Sequence, residues 1–241
     1  MAMEQTLIII PTYNEIENIE AIIKAVFNTN LALDILVVDD QSPDGTAEVV
    51  KSLMPQYKAR LFLESRSKKS GLGAAYVHGF KWALKRQYEY IFEMDADFSH
   101  DPKELTPMLK KLETNTDLVV GSRYVNGVNV VNWPMSRILL SYFASIYIQI
   151  LTSMPIKDAT AGFVGYKRRV LESVSVDQVK FVGYAFQIEM KYRAWIKKFN
   201  VEEHPIIFTN RVLGKSKMNS NIIWEALYGV LFLRINKRRL K

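Results

Sequence analysis

The feature that most constrains this chain is the repeated alternation, up to Tyr124, of short apolar runs with longer segments of helical periodicity. "TLIIIP", "DILVVDD", "RLFLES", "YIFEMD" and "DLVVGSRY" read as buried strands. Between them, "EIENIEAIIKAVFNT" places Ile16, Ile19, Ile22, Ile23 and Val26 on one helical face. "DGTAEVVKSLM", "GAAYVHGFKWALKR" and "DPKELTPMLKKLE" read as further helices, the last with Asp101 as N-cap and Pro102 in its first turn. Strand–helix alternation implies right-handed crossovers and a mainly parallel sheet, hence a Rossmann-like α/β fold. Ligands on such sheets bind at the carboxyl ends of the strands. The unusual polar clusters all fall there: "PTYNE", Asp39-Asp40, Asp95-Ala96-Asp97 and Arg123. Together they outline one cleft.

Past Tyr124 the texture changes. "VNGVNVVNWP" reads as a polar loop, and "SRILLSYFASIYIQILTSM" as a helix apolar around most of its circumference, with Ser141, Ser145 and Gln149 as a thin polar stripe. "KDATAGFVGYKRRVL" and "GYAFQIEMKYRAWIKK" read as a turn and helices, "VEEHPIIFTNR" as a late strand, and "VLGKSKMN" as a Gly/Lys loop. The terminal segment is an amphipathic helix ending "NKRRLK". No repeat, linker or internal boundary is visible, so residues 1–241 are expected to form one domain.

Composition narrows the chemistry. A net charge of +7 points to an anionic partner: nucleic acid, nucleotide phosphates or an acidic membrane. There is no cysteine, which excludes a thiolate nucleophile or metal site. The start "MAMEQTLIIIPTYNE" lacks a basic and a long apolar signal region, and the apolar run Ile138 to Leu151 is shorter than a standard membrane span. These features predict a cytoplasmic protein, with a membrane surface left open.

Asp95 and Asp97, two apart at a strand end, can turn toward one ligand, and a bound hard cation relieves their repulsion. The 3 histidines form no cluster, which favours an oxygen-ligated cation over zinc and makes His100 a loop or capping residue. A carboxylate at Asp39-Asp40 can accept hydrogen bonds from a base edge or ribose, and Tyr13 can flank a base. Arg123, Arg211, Lys215 and Lys217 are the cations available to neutralise a diphosphate. Two lookalikes fail: "GLGAAY" has Tyr76 where a dinucleotide fingerprint needs glycine, and "GKS" lacks the first glycine of a P-loop.

Taken together, "IPTYNE", "VVDDQSPDGT", "GLGAAYVHGF", "MDADFSHDP", "GSRY", "DATAGF", "GYAFQIEM" and "NRVLGKSK" resemble the dolichyl-phosphate (polyprenyl-phosphate) mannose synthases, family-2 glycosyltransferases of the GT-A fold. The resemblance runs over nearly the whole chain. It implies inverting transfer of mannose from GDP-mannose to a polyprenyl phosphate, with Mg²⁺ or Mn²⁺. Residues 1–124 would form a nucleotide-sugar-binding half and 125–241 an acceptor half. It also implies nucleotide contacts from Pro11, Tyr13, Glu15, Val38 and Asp40, metal handling by Asp95 and Asp97, and the Ala96 backbone beside the donor. Arg123, Arg211 and Lys217 would hold the donor diphosphate and acceptor phosphate, with Asp97, Arg123 and Arg211 central to catalysis and Arg137 and Ser141 on the acceptor loop. Two positions depart from the family pattern on the acceptor side: Tyr142 and Val164 stand where the family often has arginine.

An acceptor phosphate is already ionised at neutral pH, so a direct displacement needs neither a strong general base nor an enzyme nucleophile. The resemblance also predicts a membrane surface as partner, reached through interfacial helices or a membrane partner subunit. Trp224, Leu227, Tyr228, Leu231 and Ile235 line one face of the terminal helix ahead of a basic end, which suits the cytoplasmic face of an anionic membrane. Another donor such as UDP-glucose, or a polysaccharide acceptor, is the alternative within the fold. Nucleic acid is not an expected partner, since no recognition motif accompanies the charge.

Overall fold

The structure is a computed structural model that describes residues 5–211 and 221–240. Strands β1 (Gln5–Thr12), β2 (Leu33–Asp39), β3 (Leu61–Ser65) and β4 (Tyr88–Glu93) alternate with helices α1 (Ile19–Phe27), α2 (Thr46–Leu53) and α3 (Leu72–Leu84). Helix α4 (Leu105–Leu112) then leads to β5 (Leu118–Ser122). These elements follow the predicted alternation. In α1, Ile19, Ile22, Ile23 and Val26 are fully buried, but Ile16 precedes the helix and is 43% exposed. Asp101 caps a short 3₁₀ turn (Pro102–Glu104) ahead of α4, accepting the Lys103 N–H at 2.9 Å.

Next come β6 (Val130–Val131), α5 (Met135–Thr152), β7 (Val164–Lys167), α6 (Arg168–Val174), α7 (Tyr184–Ile196), β8 (Val201–Pro205), β9 (Phe208–Thr209), α8 (Asn221–Ile235) and α9 (Lys237–Leu240). Among the described residues the main sheet has seven strands in the order β3-β2-β1-β4-β7-β5-β8. Every pairing is parallel except those of β7, which runs antiparallel to both β4 and β5. β7 corrects the turn-and-helix reading of "KDATAGFVGYKRRVL". Its four residues are too few to show periodicity; Gly165 lets the chain pass Phe92, whose Cε1 would lie 2.5 Å from an added Cβ. The polar loop "VNGVNVVNWP" likewise contributes β6, which pairs with β9.

Helix α5 leaves much of its apolar surface outside. Its polar stripe faces the body: Ser145 is buried, and the Gln149 amide donates to the Ile156 carbonyl at 2.8 Å. Ile148 is buried beside that stripe, while other apolar residues point outward, with Leu139 46%, Phe143 61% and Ile150 73% exposed. At 18 residues, α5 is long and apolar enough by length and composition to cross a membrane, which the shorter run Ile138 to Leu151 understates. Helix α8 packs beside it, burying Val230 and Leu233 while Tyr228, Leu231 and Ile235 stay exposed. The Trp224 side chain lies outside the described residues.

Candidate active site

The reversal of strand order at β1, with β2 on one side and β4 on the other, opens a crevice at its carboxyl end, and the polar clusters converge there. Asp39 and Asp40 divide their labour. Asp39 closes the β1–β2 edge, accepting from the Thr12 hydroxyl at 2.9 Å, the Ser42 hydroxyl at 2.6 Å and the Ser42 N–H at 2.9 Å. Asp40 turns into the crevice, paired with Arg66 at 2.9 Å; burial raises its carboxyl above the ordinary range against the Arg66 charge. Lys69 stands 4.0 Å over the Tyr13 ring. Glu15 is anchored by its own N–H to the Thr46 hydroxyl at 3.0 Å and by the Asn18 amide at 3.1 Å. The resulting cavity holds about 450 Å³.

Asp95 and Asp97 lie just past β4. The chain reverses at Phe98, which adopts the left-handed φ of 59°, and the Ser99 N–H returns to Asp97 Oδ1 at 3.0 Å. The other Asp97 oxygen pairs with Arg211 at 2.8 Å. The Asp95 N–H donates to His100 Nδ1 at 3.2 Å, and the Tyr76 hydroxyl stands 3.4 Å from Asp95 Oδ1. Burial, then the Asp97 charge, pushes Asp95 up to about 7. Burial drives His100 the other way, down to about 4, against the attraction of Asp97. Beneath them, Glu93 accepts from the Tyr166 hydroxyl at 2.8 Å and from the Gln187 amide. Lys191 caps this buried network, donating to the Ala161 carbonyl at 2.7 Å and to Gln187 Oε1 at 3.0 Å. Burial pushes Glu93 up to about 7 and Lys191 down to about 8.

A second cavity of about 470 Å³ opens beside the first, under α5 and α8. Asp95, Arg137 and Phe208 line both, so the two meet at the carboxylates. Its walls are mostly apolar, including Leu140, Phe143, Ile148 and Val230. Arg123 sits in this wall, held by Asp158 through Nε–H···Oδ2 at 2.7 Å, a terminal N–H to Oδ1 at 2.6 Å and its backbone N–H to Oδ2 at 2.9 Å. Thr160 accepts a further bond at 2.8 Å. Arg137 lies 4.0 Å over the Trp133 ring and reaches Asn210 Oδ1 at 3.4 Å.

Pro11, Tyr13, Glu15, Asp40, Asp95, Ala96, Asp97 and Arg211 thus all line the first cavity. Arg123 and Ser141 line the second, and Arg137 lines both. Val38 does not reach either cavity; its side chain is fully buried in the core between the sheet and α3. Lys215 and Lys217 lie outside the described residues. Sequence reasoning missed Lys69, Asn210 and Glu225 in the first cavity and His100 and Gln187 in the second. Lys69 sits in the basic run "RSKKS", but nothing in a linear pattern ties residues so far apart to one wall.

Asp95 and Asp97 fit a divalent cation on the chemistry of the donor set. They are two hard oxygen donors at the junction of the cavities, one of them short of compensating charge. Among the described residues no third carboxylate or imidazole joins them in a metal-holding cluster, so a diphosphate and water would complete a cation's shell.

A mainly parallel, doubly wound sheet with paired aspartates at its carboxyl edge, where two cavities meet, has the architecture of a GT-A glycosyltransferase. The chain belongs to glycosyl transferase family 2, whose model matches residues 7–175. It is 46% identical over 227 residues to the polyprenol monophosphomannose synthase of Mycolicibacterium smegmatis, covering 94% of this chain and 86% of that protein. It is 40% identical over 226 residues to the undecaprenyl-phosphate mannosyltransferase of Micrococcus luteus, covering 94% and 92%. The resemblance to polyprenyl-phosphate mannose synthases is therefore borne out. Among solved structures, glucosyl-3-phosphoglycerate synthase from Mycobacterium tuberculosis, in complex with Mn²⁺, UDP-glucose and phosphoglyceric acid, superposes with a TM-score of 0.72 over 97% of this chain and 80% of that one. At 14% identity that likeness concerns the fold.

Proposed function

We propose that this enzyme transfers mannose from GDP-mannose to a polyprenyl phosphate, with inversion, at the cytoplasmic face of a membrane. The observation that carries this reading is the apolar cavity that joins the donor cleft at Asp95 and Arg137 and is roofed by α5, whose outer face is itself apolar. A polysaccharide acceptor would need polar walls, whereas a lipid phosphate needs a charged end and a greasy wall. The names of the two family relatives agree with it.

In this reading the guanine nucleotide lies among Tyr13, Glu15 and Asp40, with its diphosphate toward Arg211. Asp95 and Asp97 would hold Mg²⁺ or Mn²⁺, which when bound offsets diphosphate charge. Arg137, at the junction, draws the acceptor phosphate up to the sugar. One phosphate oxygen attacks the anomeric carbon while the bond from that carbon to the diphosphate oxygen breaks, its electron pair leaving with GDP. No proton moves, so catalysis consists of holding two anions together in line. The outward apolar faces of α5 and α8, with the basic α9, would seat the enzyme on an anionic membrane, alone or with a membrane partner subunit.

The test is transfer of label from GDP-[¹⁴C]mannose to polyprenyl phosphate in mixed micelles with Mg²⁺ or Mn²⁺, beside UDP-glucose and UDP-GlcNAc. Labelled lipid from GDP-mannose is expected. Label from another donor alone would reassign the sugar, and no labelled lipid from any donor would overturn the acceptor assignment.

A further inference from the structure

His100 is a buried side chain in the wall of the apolar cavity whose surroundings define which nitrogen carries its proton. Its Nδ1 accepts the Asp95 backbone N–H at 3.2 Å, so Nδ1 bears a lone pair. A neutral imidazole then has its single N–H at Nε2. The ring is clamped by stacking on Phe163 at 4.9 Å and by the edge of Phe208 at 5.6 Å, which leaves it one orientation. No residue accepts from Nε2 among the described hydrogen bonds. The neighbouring wall is side-chain-free: a Cβ at Gly162 would lie 3.7 Å from His100 Cε1 and 3.9 Å from Asp95 Oδ2. The space in front of Gly162 is therefore flanked by the imidazole edge and by a carboxylate of the reaction centre.

We propose that His100 donates its Nε2–H to a non-attacking oxygen of the acceptor phosphate, fixing the headgroup beside Asp95. This rests on the lipid-phosphate reading given above. A neutral donor suits that task. Arg123 and Arg137 already supply positive charge on this side, and a further cation would draw electron density from the oxygen that must attack. A neutral N–H orients the phosphate while leaving it nucleophilic. The same tautomer excludes His100 as a general base, since Nδ1 is engaged and Nε2 already carries its proton.

Asparagine and glutamine separate this role from a structural one. In His100→Asn the amide oxygen can take the place of Nδ1 and support the Asp95 turn, but nothing replaces Nε2–H. In His100→Gln the amide N–H₂ reaches the Nε2 position and the Nδ1 acceptor is lost. With both substrates varied, His100→Asn is expected to raise KM for polyprenyl phosphate about tenfold or more, while KM for GDP-mannose stays within about twofold. His100→Gln should recover most of the acceptor KM. The reverse order, with asparagine near wild type and glutamine impaired in donor binding, would mean that His100 only braces the turn, and the proposal would be wrong.

Imidazole ¹⁵N spectra of the wild-type enzyme test the same point without a variant, because the chain has 3 histidines. In the presence of GDP and Mg²⁺, citronellyl phosphate should shift the protonated Nε2 signal of one of them. An unmoved spectrum at saturating phosphate would also overturn the assignment. If wild-type enzyme labels no lipid phosphate, it is the acceptor reading that fails, and the fault is separable from that of His100.

Discussion

Replacing Asp158 by asparagine removes the charge that holds Arg123 while changing almost no volume. Asp158 is fully buried and Arg123 nearly so, and three hydrogen bonds join them. In Asp158→Asn one side-chain position turns from acceptor into donor and faces a guanidinium N–H, so a buried cation is left short of compensation. Breaking a buried pair from one side costs about 3–5 kcal/mol. For a domain of this size each kcal/mol lowers Tm by about 2–4 °C, so the expected fall is about 6–20 °C. Calorimetry or circular dichroism near neutral pH measures it. The pH dependence is a second check. Burial alone would raise the Asp158 carboxyl, but the Arg123 charge and hydrogen bonds reverse this and hold it below its ordinary value. A depressed carboxylate contributes stability above its unfolded pKa and loses it only as pH falls through the folded one. The gap in Tm between wild type and variant should therefore be flat between about pH 5 and 8. A variant that melts within about 2 °C of wild type would refute the claim that this pair is a buried, uncompensated charge when broken.

Asp95 is pushed up to about 7 and must lose its proton to take a cation. Apparent affinity for Mn²⁺ with GDP should fall about tenfold per unit below about pH 7 and level off above it, as titration calorimetry can read. The same shift means that the folded, metal-free protein binds more protons than the unfolded chain between about pH 4 and 7, so its stability should decline as pH rises through that window. Gly73→Ala would place a Cβ 2.6 Å from Phe186 Cγ and force α3 from α7, costing about 1–3 kcal/mol in denaturant unfolding. Ile150→Glu on the outer face of α5 should weaken co-sedimentation with anionic vesicles by tenfold or more while leaving GDP binding unchanged, since about 2–3 kcal/mol of apolar burial is lost.

Most of the polar lining of the first cavity was legible because its residues sit where local pattern and topology coincide. A strand of period 2 ends, a turn begins, and parallel crossovers bring every such end to one edge. Tyr13, Asp40, Asp95 and Asp97 needed no more than that. In "GLGAAY", Gly73 has a packing job, admitting Phe186.

Residue pattern was enough for the alternation, hence the parallel frame, and for the run of motifs that marks the family. Tertiary structure alone decided the rest, because it depends on partners distant in the chain. β7 is a strand only because β4 and β5 leave a slot between them. Asp39 and Asp40 are neighbours, yet Thr12 and Ser42 claim one and leave the other facing the cleft. The apolar circumference of α5 could not say which side is packed; the body takes the polar stripe with Ile148 and leaves Leu139, Phe143 and Ile150 outside. For His100, the proton position follows from one backbone N–H that meets Nδ1 across a turn. A linear pattern records which groups are present, but which lone pairs remain unclaimed is set only when the chain has closed around them.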